Sequence, residues 1–309
     1  MKPVRLLIDT DTAGDDVFSL LLALRRPEAQ LEAITIVCGN VRFEQQIENA
    51  LYAVEIAGRS GEIPIYAGCR TPLVAEWVGA EYVHGRDGMG DSSFPRAHQR
   101  PESEHAVDEL VRRVNESASE LTILAQGPLT NIALACARDR RLPSKVKHLF
   151  VMGGGIGNIT PAAEFNFYVD PEAAKIVLGA GFPLTLFTWT LTRSHGVFGE
   201  DKLAQIDALG TPLSRFFGQV NRKALEFDRD VVGIPGSTHP DAMTCAAILD
   251  PSLILAAEDA VVDVETAGEL TRGWNLIDTL GRTGRGANAR VVVDYDTERF
   301  FEMMLSVLR

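Results

Sequence analysis

Short apolar runs rich in Val, Ile and Leu, at residues 4–8, 31–37, 63–66, 121–125, 148–152 and 183–187, alternate along the chain with helical patterns at 17–26, 43–57, 104–117, 128–138 and 171–178. Strands that take turns with helices predict βαβ units, and therefore an α/β fold with a doubly wound, mainly parallel sheet flanked by helices. Two helix starts are legible: Asp170 caps with Pro171 in the first turn, and Gly127-Pro128 opens a helix directly after a strand. Residues 261–264 and 290–293 read as late strands and 297–308 as a closing helix, while the charged, turn-broken stretch 203–240 reads as helices that cover a site. No linker, internal repeat or low-complexity tract divides the 309 residues, and 46% hydrophobic content is enough for a large core, so the expectation is one domain, 1–309. Ligands of such sheets bind beyond the carboxyl ends of the strands, where strands hand over to helices.

At the first of these ends stand Asp9, Asp11, Asp15 and Asp16. Carboxylates this close repel one another, and their pKa values rise unless something positive sits between them. A hard divalent ion, Ca²⁺ or Mg²⁺, held through oxygen ligands supplies that charge. Helix capping by Asp15 and Asp16 accounts for one or two of the four acids but not for all. An EF-hand register fails, with Ala13 at its fifth position and Leu20 where a bidentate Glu is needed. The Asp-x-Asp start also looks like the nucleophile loop of haloacid-dehalogenase-type phosphatases, where the residue four past the first Asp is usually Thr or Val; Ala13 stands there, which makes this the runner-up.

Other polar residues follow strands at the same predicted edge. Gly39-Asn40 closes the second strand, and Gln126, closing the run 121–125, would direct its carbonyl into the cleft. Met152 is followed by glycines at 153–155 and 157 that let backbone approach a ligand. This is no dinucleotide fingerprint, because Asn158 occupies the last glycine position, and no Gly-Lys-Ser/Thr exists for a P-loop. Glu164-Phe165-Asn166 reads as a loop exposing a carboxylate, an aromatic face and an amide, groups that hold a hydroxyl-rich sugar. Asp241, taken alone, is the N-cap of a helix at 242–249. The formal charge of −12 argues against nucleic acid as a partner and for a neutral or cationic small molecule. Cys38, Cys69, Cys136 and Cys245 form no CxxC pair, and Cys38, Cys136 and Cys245 fall in apolar stretches as core residues, which suits a reducing, cytoplasmic setting. No run approaches the roughly 18 apolar residues of a membrane span, and the opening apolar run, broken at Asp9, is too short for a secretory signal.

Together these residues resemble the nucleoside hydrolase family, the inosine-uridine-type nucleoside N-ribohydrolases. The likeness runs through the Asp-Thr-Asp-x-x-x-Asp-Asp start, Cys38-Gly39-Asn40, His84-Gly85-x-Asp87-Gly88, Gly127-Pro128-Leu129-Thr130-Asn131, Met152-Gly153-Gly154, Pro161 to Asn166, and an Asp opening a late helix. It implies Ca²⁺-dependent hydrolysis of ribonucleosides to ribose and free base. Asp11, Asp16, the Gln126 carbonyl and Asp241 would hold the metal, with substrate hydroxyls and one water completing the shell, and Asp15 would take the proton from that water. Asn40 would orient Asp15 and the water, Asn158 and Glu164 would reach the ribose 5′-OH, and Asn166 the 2′/3′-diol. Met152 and Phe165 would pack on the substrate, while His84 and the loop 85–90 would lie over the site as a mobile flap. A homo-oligomer, dimer or tetramer, is implied as well.

Two positions depart from the family pattern. Thr12-Ala13 stands where Pro-Gly is usual, with the carboxylate spacing unchanged. Pro240 precedes Asp241 where members often carry His or Trp against the leaving base, and His239, one residue earlier, is the expected substitute. His195, Arg222, Asp228 and Arg229 are further candidates, each of a type more often found at the surface or in structural roles. The sequence therefore leaves the preferred base open. A hydrolase of another N-ribosyl compound and a ribonucleoside-binding protein without turnover are the alternatives. The second has no need of a base such as Asp15 poised on water.

Overall fold

The computed structural model describes residues 2–309. Its strands are β1 (Val4–Thr10), β2 (Ala29–Ile36), β3 (Ile65–Ala67), β4 (Thr122–Ala125), β5 (His148–Met152), β6 (Leu184–Phe187), β7 (Val197–Gly199), β8 (Gly236–Thr238), β9 (Ile254–Val264), β10 (Asn275–Asp278) and β11 (Ala289–Tyr295). Its helices are α1 (Gly14–Arg25), α2 (Phe43–Ile56), α3 (Glu81–His84), α4 (Ala106–Glu116), α5 (Thr130–Arg138), α6 (Phe165–Val169), α7 (Pro171–Leu178), α8 (Trp189–His195), α9 (Glu200–Ala208), α10 (Pro212–Phe227), α11 (Pro240–Leu249) and α12 (Thr297–Leu308).

Nine strands make one sheet in the order β10-β9-β11-β6-β5-β4-β1-β2-β3, with β7 and β8 paired outside it. From β3 across to β11 all neighbours run parallel, and only β9 is antiparallel, to β11 on one side and β10 on the other. The mainly parallel α/β sheet expected from the sequence is therefore present. Successive side chains of a strand point to opposite faces, and Leu6 and Ile8 accordingly enter the apolar layer shared with α1, α2, α11 and α12, while Leu7 enters the one shared with α4, α5 and α7. The chain leaves β1 for β2 and β3 on one side and returns to β4, β5 and β6 on the other. This reversal opens a crevice at the carboxyl ends of β1 and β4.

Several boundaries differ from the sequence reading. Helix α1 starts at Gly14, three residues early, so Asp15 and Asp16 lie in its first turn. Helix α11 starts at Pro240, with His239 rather than Asp241 at the N-cap position. Strand β9 begins at Ile254, ahead of the expected 261, because its first half lies at the open end of the sheet and carries exposed residues such as Glu258 and Asp259. Among the described residues no helix is long and apolar enough to cross a membrane.

Candidate active site

Strand β1 carries the chain past Thr10 to Asp11, and the first turns of α1 and α11, which pack against each other, supply Asp15, Asp16 and Asp241. One carboxylate oxygen from each of Asp15, Asp16 and Asp241 lies within 4.8 Å of the other two. Asp16 is fixed on both oxygens: Oδ1 accepts from Thr10 Oγ1 at 2.6 Å and Gln126 Nε2 at 3.0 Å, and Oδ2 from the Ala13 amide at 3.1 Å and Asn40 Nδ2 at 3.2 Å. Asp11 Oδ2 accepts the Asn40 amide at 3.0 Å, and Asp15 Oδ2 the Asp241 amide at 3.3 Å. Asp11 Oδ1 and Asp241 Oδ1 are buried with no hydrogen-bond partner. Asp9, the fourth acid of the sequence cluster, turns away from this group to Thr35 Oγ1 (2.5 Å) and Asn131 Nδ2 (2.8 Å).

Burial, reinforced by the charge of Asp16, pushes the Asp15 carboxyl up to about 7, and burial alone takes Asp16 to about 6. Asp11 and Asp241 are driven well above the usual range, by burial first and neighbouring carboxylates second. The helix N-termini offset only part of this repulsion, and neither Lys nor Arg lines the cavity. Unsatisfied buried carboxylate oxygens in an all-oxygen donor set fit a hard divalent cation.

Asp15, Asn40, His84, Gln126, Met152, Asn158, Glu164, Phe165, Asn166 and Asp241 line one cavity, so the structure brings together most of the residues singled out by sequence. Asp11 and Asp16 lie directly behind its wall. The Gln126 carbonyl accepts from Asn166 Nδ2 at 3.2 Å, and the same amide touches the Met152 carbonyl at 3.2 Å and Sδ at 3.4 Å. Gln126 is held from behind by Ser19 Oγ at 2.6 Å. Glu164 corrects the loop expectation. It is a buried N-cap, its carboxylate taking the amides of Asn166 (2.9 Å), Phe167 (3.2 Å) and Gly154 (2.8 Å), and these bonds wind Phe165–Val169 into a helix. Burial holds this carboxyl up at about 7. Asn158 Oδ1 accepts the Phe165 amide at 2.9 Å. His84 lies over Gly14, where φ is +29° and a Cβ would come within 2.3 Å of the imidazole Nδ1. The loop that follows His84 is tied down by Asp87, which accepts the amides of Met89, Asp91 and Ser93.

Most of the remaining wall was not legible in the sequence, Asp228 alone being among its candidates. Tyr82 and Val83 come from α3, Trp189 from α8, Ala224 and Phe227 from α10, Asp228 from the π-helical turn after it, and Thr238 from β8. Tyr82 and Phe227 meet edge to face at 5.5 Å. No shared motif announces such residues, because they meet only through helix packing. His239 is not part of this wall. With Pro240 opening the helix, its ring turns inward among Phe18, Phe198 and Phe217, with Nε2 at 2.8 Å from Ser237 Oγ. Burial takes it down to about 3, which leaves it neutral. His195 faces Asp294, Arg222 donates to the Gly90 carbonyl and Arg229 pairs with Asp230; of the four further candidates only Asp228 reaches the cavity.

The chain matches the family model described as inosine-uridine preferring nucleoside hydrolase over residues 6–302. It is 36% identical over 307 residues to the pyrimidine-specific ribonucleoside hydrolase RihA of Shigella flexneri and of Escherichia coli K12, with 98% of each chain covered. Among solved structures, a plant nucleoside hydrolase superposes with a TM-score of 0.93 at 31% identity over 99% of both chains. A purine-preferring ribonucleoside hydrolase from Gardnerella vaginalis gives 0.90 at 26% identity over 98% of both. Fold, cleft and these likenesses define an enzyme of the N-glycosyl hydrolase class that acts on ribonucleosides. It belongs to the inosine-uridine preferring nucleoside hydrolase family, and the phosphatase alternative falls away.

Proposed function

We propose that this enzyme cleaves the N-glycosidic bond of ribonucleosides with Ca²⁺ in the acid cluster and Asp15 as the base that takes a proton from the attacking water. The observation that carries this reading is the pair of buried, unpartnered oxygens, Asp11 Oδ1 and Asp241 Oδ1, beside a cavity without Lys or Arg. Asp11, Asp16, Asp241 and the Gln126 carbonyl would hold the ion. The carbonyl has a lone pair to spare after its bond to Asn166. Bound there, the ion would neutralise the cluster, fix the ribose diol and lower the pKa of a water.

The residues do the rest. Asp15 is ionised once a cation offsets its neighbours, and a positioned base of this kind is worth about 10²–10⁴-fold. Asn40 holds Asp11 and Asp16 in place through its amides, and so fixes the cluster against which Asp15 works. Asn158 and Glu164 are assigned to the ribose 5′-OH, Asn166 to the diol, Met152 and Phe165 to the sugar faces, and His84 to the cover over them. As the C1′–N bond breaks, the sugar takes on oxocarbenium character, which the surrounding carboxylates stabilise. Relatives named for pyrimidine specificity are nearer in sequence than the purine-preferring one, so uridine and cytidine head the substrate panel. The same reading carries a homo-oligomer and a cytoplasmic setting; four free, buried cysteines support the latter.

Reducing-sugar release from purine and pyrimidine ribonucleosides, before and after a chelator, tests this. Release should stop on chelation and return with Ca²⁺. Asp15→Asn should keep nucleoside binding by calorimetry while kcat falls about 10²–10⁴-fold. Release that ignores the chelator, or an unaffected Asp15→Asn variant, overturns the assignment.

A further inference from the structure

We propose that Asp228 is the acid that gives its carboxyl proton to the leaving base. This rests on the hydrolase reading above and fills the role that His239, turned into the core, leaves open. Tyr82 and Phe227 meet edge to face in the cavity wall, and Asp228 follows Phe227 directly in the chain. An aromatic pair is a surface on which a planar base can pack. Of the four carboxyl groups that line the cavity, Asp15, Glu164, Asp228 and Asp241, Asp228 is the one with no part in holding the ion or the ribose.

Its placement is built rather than incidental. Oδ2 accepts both the amide and the hydroxyl of Thr238 at 2.8 Å each, which ties the π-helical turn to the strand that leads into Asp241. Both side-chain hydrogen bonds fall on Oδ2, which leaves Oδ1 free, and the residue is only 3% exposed although it lines the cavity. A carboxylate facing a base that gains negative charge would oppose cleavage, whereas a carboxyl group promotes it. Burial favours the carboxyl form and holds this group up at about 6, so a donating fraction is present near neutral pH and grows as pH falls. The competing donors are poorer: burial takes His84 down to about 4, so it is neutral, and raises the Tyr82 phenol further.

In the step, the C1′–N electron pair moves onto the base, the Asp228 O–H bond breaks and a base N–H bond forms. Water adds its hydroxyl to C1′ and its proton to Asp15. Solvent exchange returns that proton to Asp228, so the sum is nucleoside plus water giving ribose plus base.

The test compares uridine, cytidine, inosine and adenosine with p-nitrophenyl riboside, whose leaving group departs without a proton. Asp228→Asn should lower kcat/KM on the nucleosides about 10²–10⁴-fold but p-nitrophenyl riboside by less than about tenfold, which also reports a folded ribose site. Asp228→Glu should recover part of the nucleoside rate. Equal losses on both substrate types would make Asp228 a mere tie to Thr238 and overturn the proposal, as would unchanged nucleoside rates. Failure of the underlying reading is distinct: the unaltered enzyme would then release ribose from nothing on the panel.

Discussion

Gly39 leaves no room for a side chain: a Cβ there would lie 1.9 Å from Asp11 Oδ2. Asp11 in turn takes the Asn40 amide, so the Gly-Asn pair after β2 is a seat for the acid cluster as well as a turn. Gly39→Ala should displace Asp11, lower stability by about 1–3 kcal/mol through overpacking, and weaken Ca²⁺ binding about 10–100-fold in calorimetry. A variant with unchanged Ca²⁺ affinity would show that Asp11 stands apart from the metal. Residues of this kind were legible because the cluster is local in sequence, with Asp11, Asp15 and Asp16 spaced across one strand-to-helix turn. Glu164 was misread as exposed because part of what buries it, the Gly154 amide, lies ten residues upstream. His239 was misplaced for a similar reason. Its exclusion from the cavity depends on Pro240 opening α11 and on the ring cage of Phe18, Phe198 and Phe217, which no spacing rule reveals.

At the scale of elements, the alternation of apolar strands and helices fixed β5, α7 and α12 to the residue, because their ends coincide with strong signals such as Asp170-Pro171. Strands β7 and β8, three residues each, and the polar half of β9 gave no such signal. Asp170 does more than cap α7 through the Ala173 amide. Its buried carboxylate also takes the Thr130 hydroxyl at the start of α5 and the Leu73 amide. Asp170→Ala should therefore cost more than the ~1 kcal/mol of a plain cap, about 2–4 kcal/mol in urea unfolding once the stranded buried donors are included. A loss no larger than that of a plain cap would mean that water replaces those bonds.

For the whole molecule, the buried acids set how stability varies with pH. Asp15 and Glu164 titrate near 7 and Asp16 and Asp228 near 6 when folded, against about 4 for exposed carboxyls. Between those limits these carboxyls hold more protons in the folded chain than in the unfolded one, so the stability linked to them is full below about 4 and lost as pH rises through 6–7, while the buried His84 and His239, held down at about 4 and 3, pull the other way below about 6.5. The chelated protein should melt at a lower temperature at pH 8 than at pH 5, and added Ca²⁺ should raise the melting point more at pH 8; a flat profile in chelator would refute this. The strand order has a further consequence, for synthesis. Strand β11 sits between β6 and β9, yet it arrives after every other strand. Until Ala289–Tyr295 leaves the ribosome, β6 keeps an apolar edge without a partner and the β9–β10 hairpin has nothing to join. The sheet cannot close before that segment emerges, and chains that stop short of Ala289 are expected to present that open edge to one another and aggregate, which light scattering of a chain truncated at residue 288 would read.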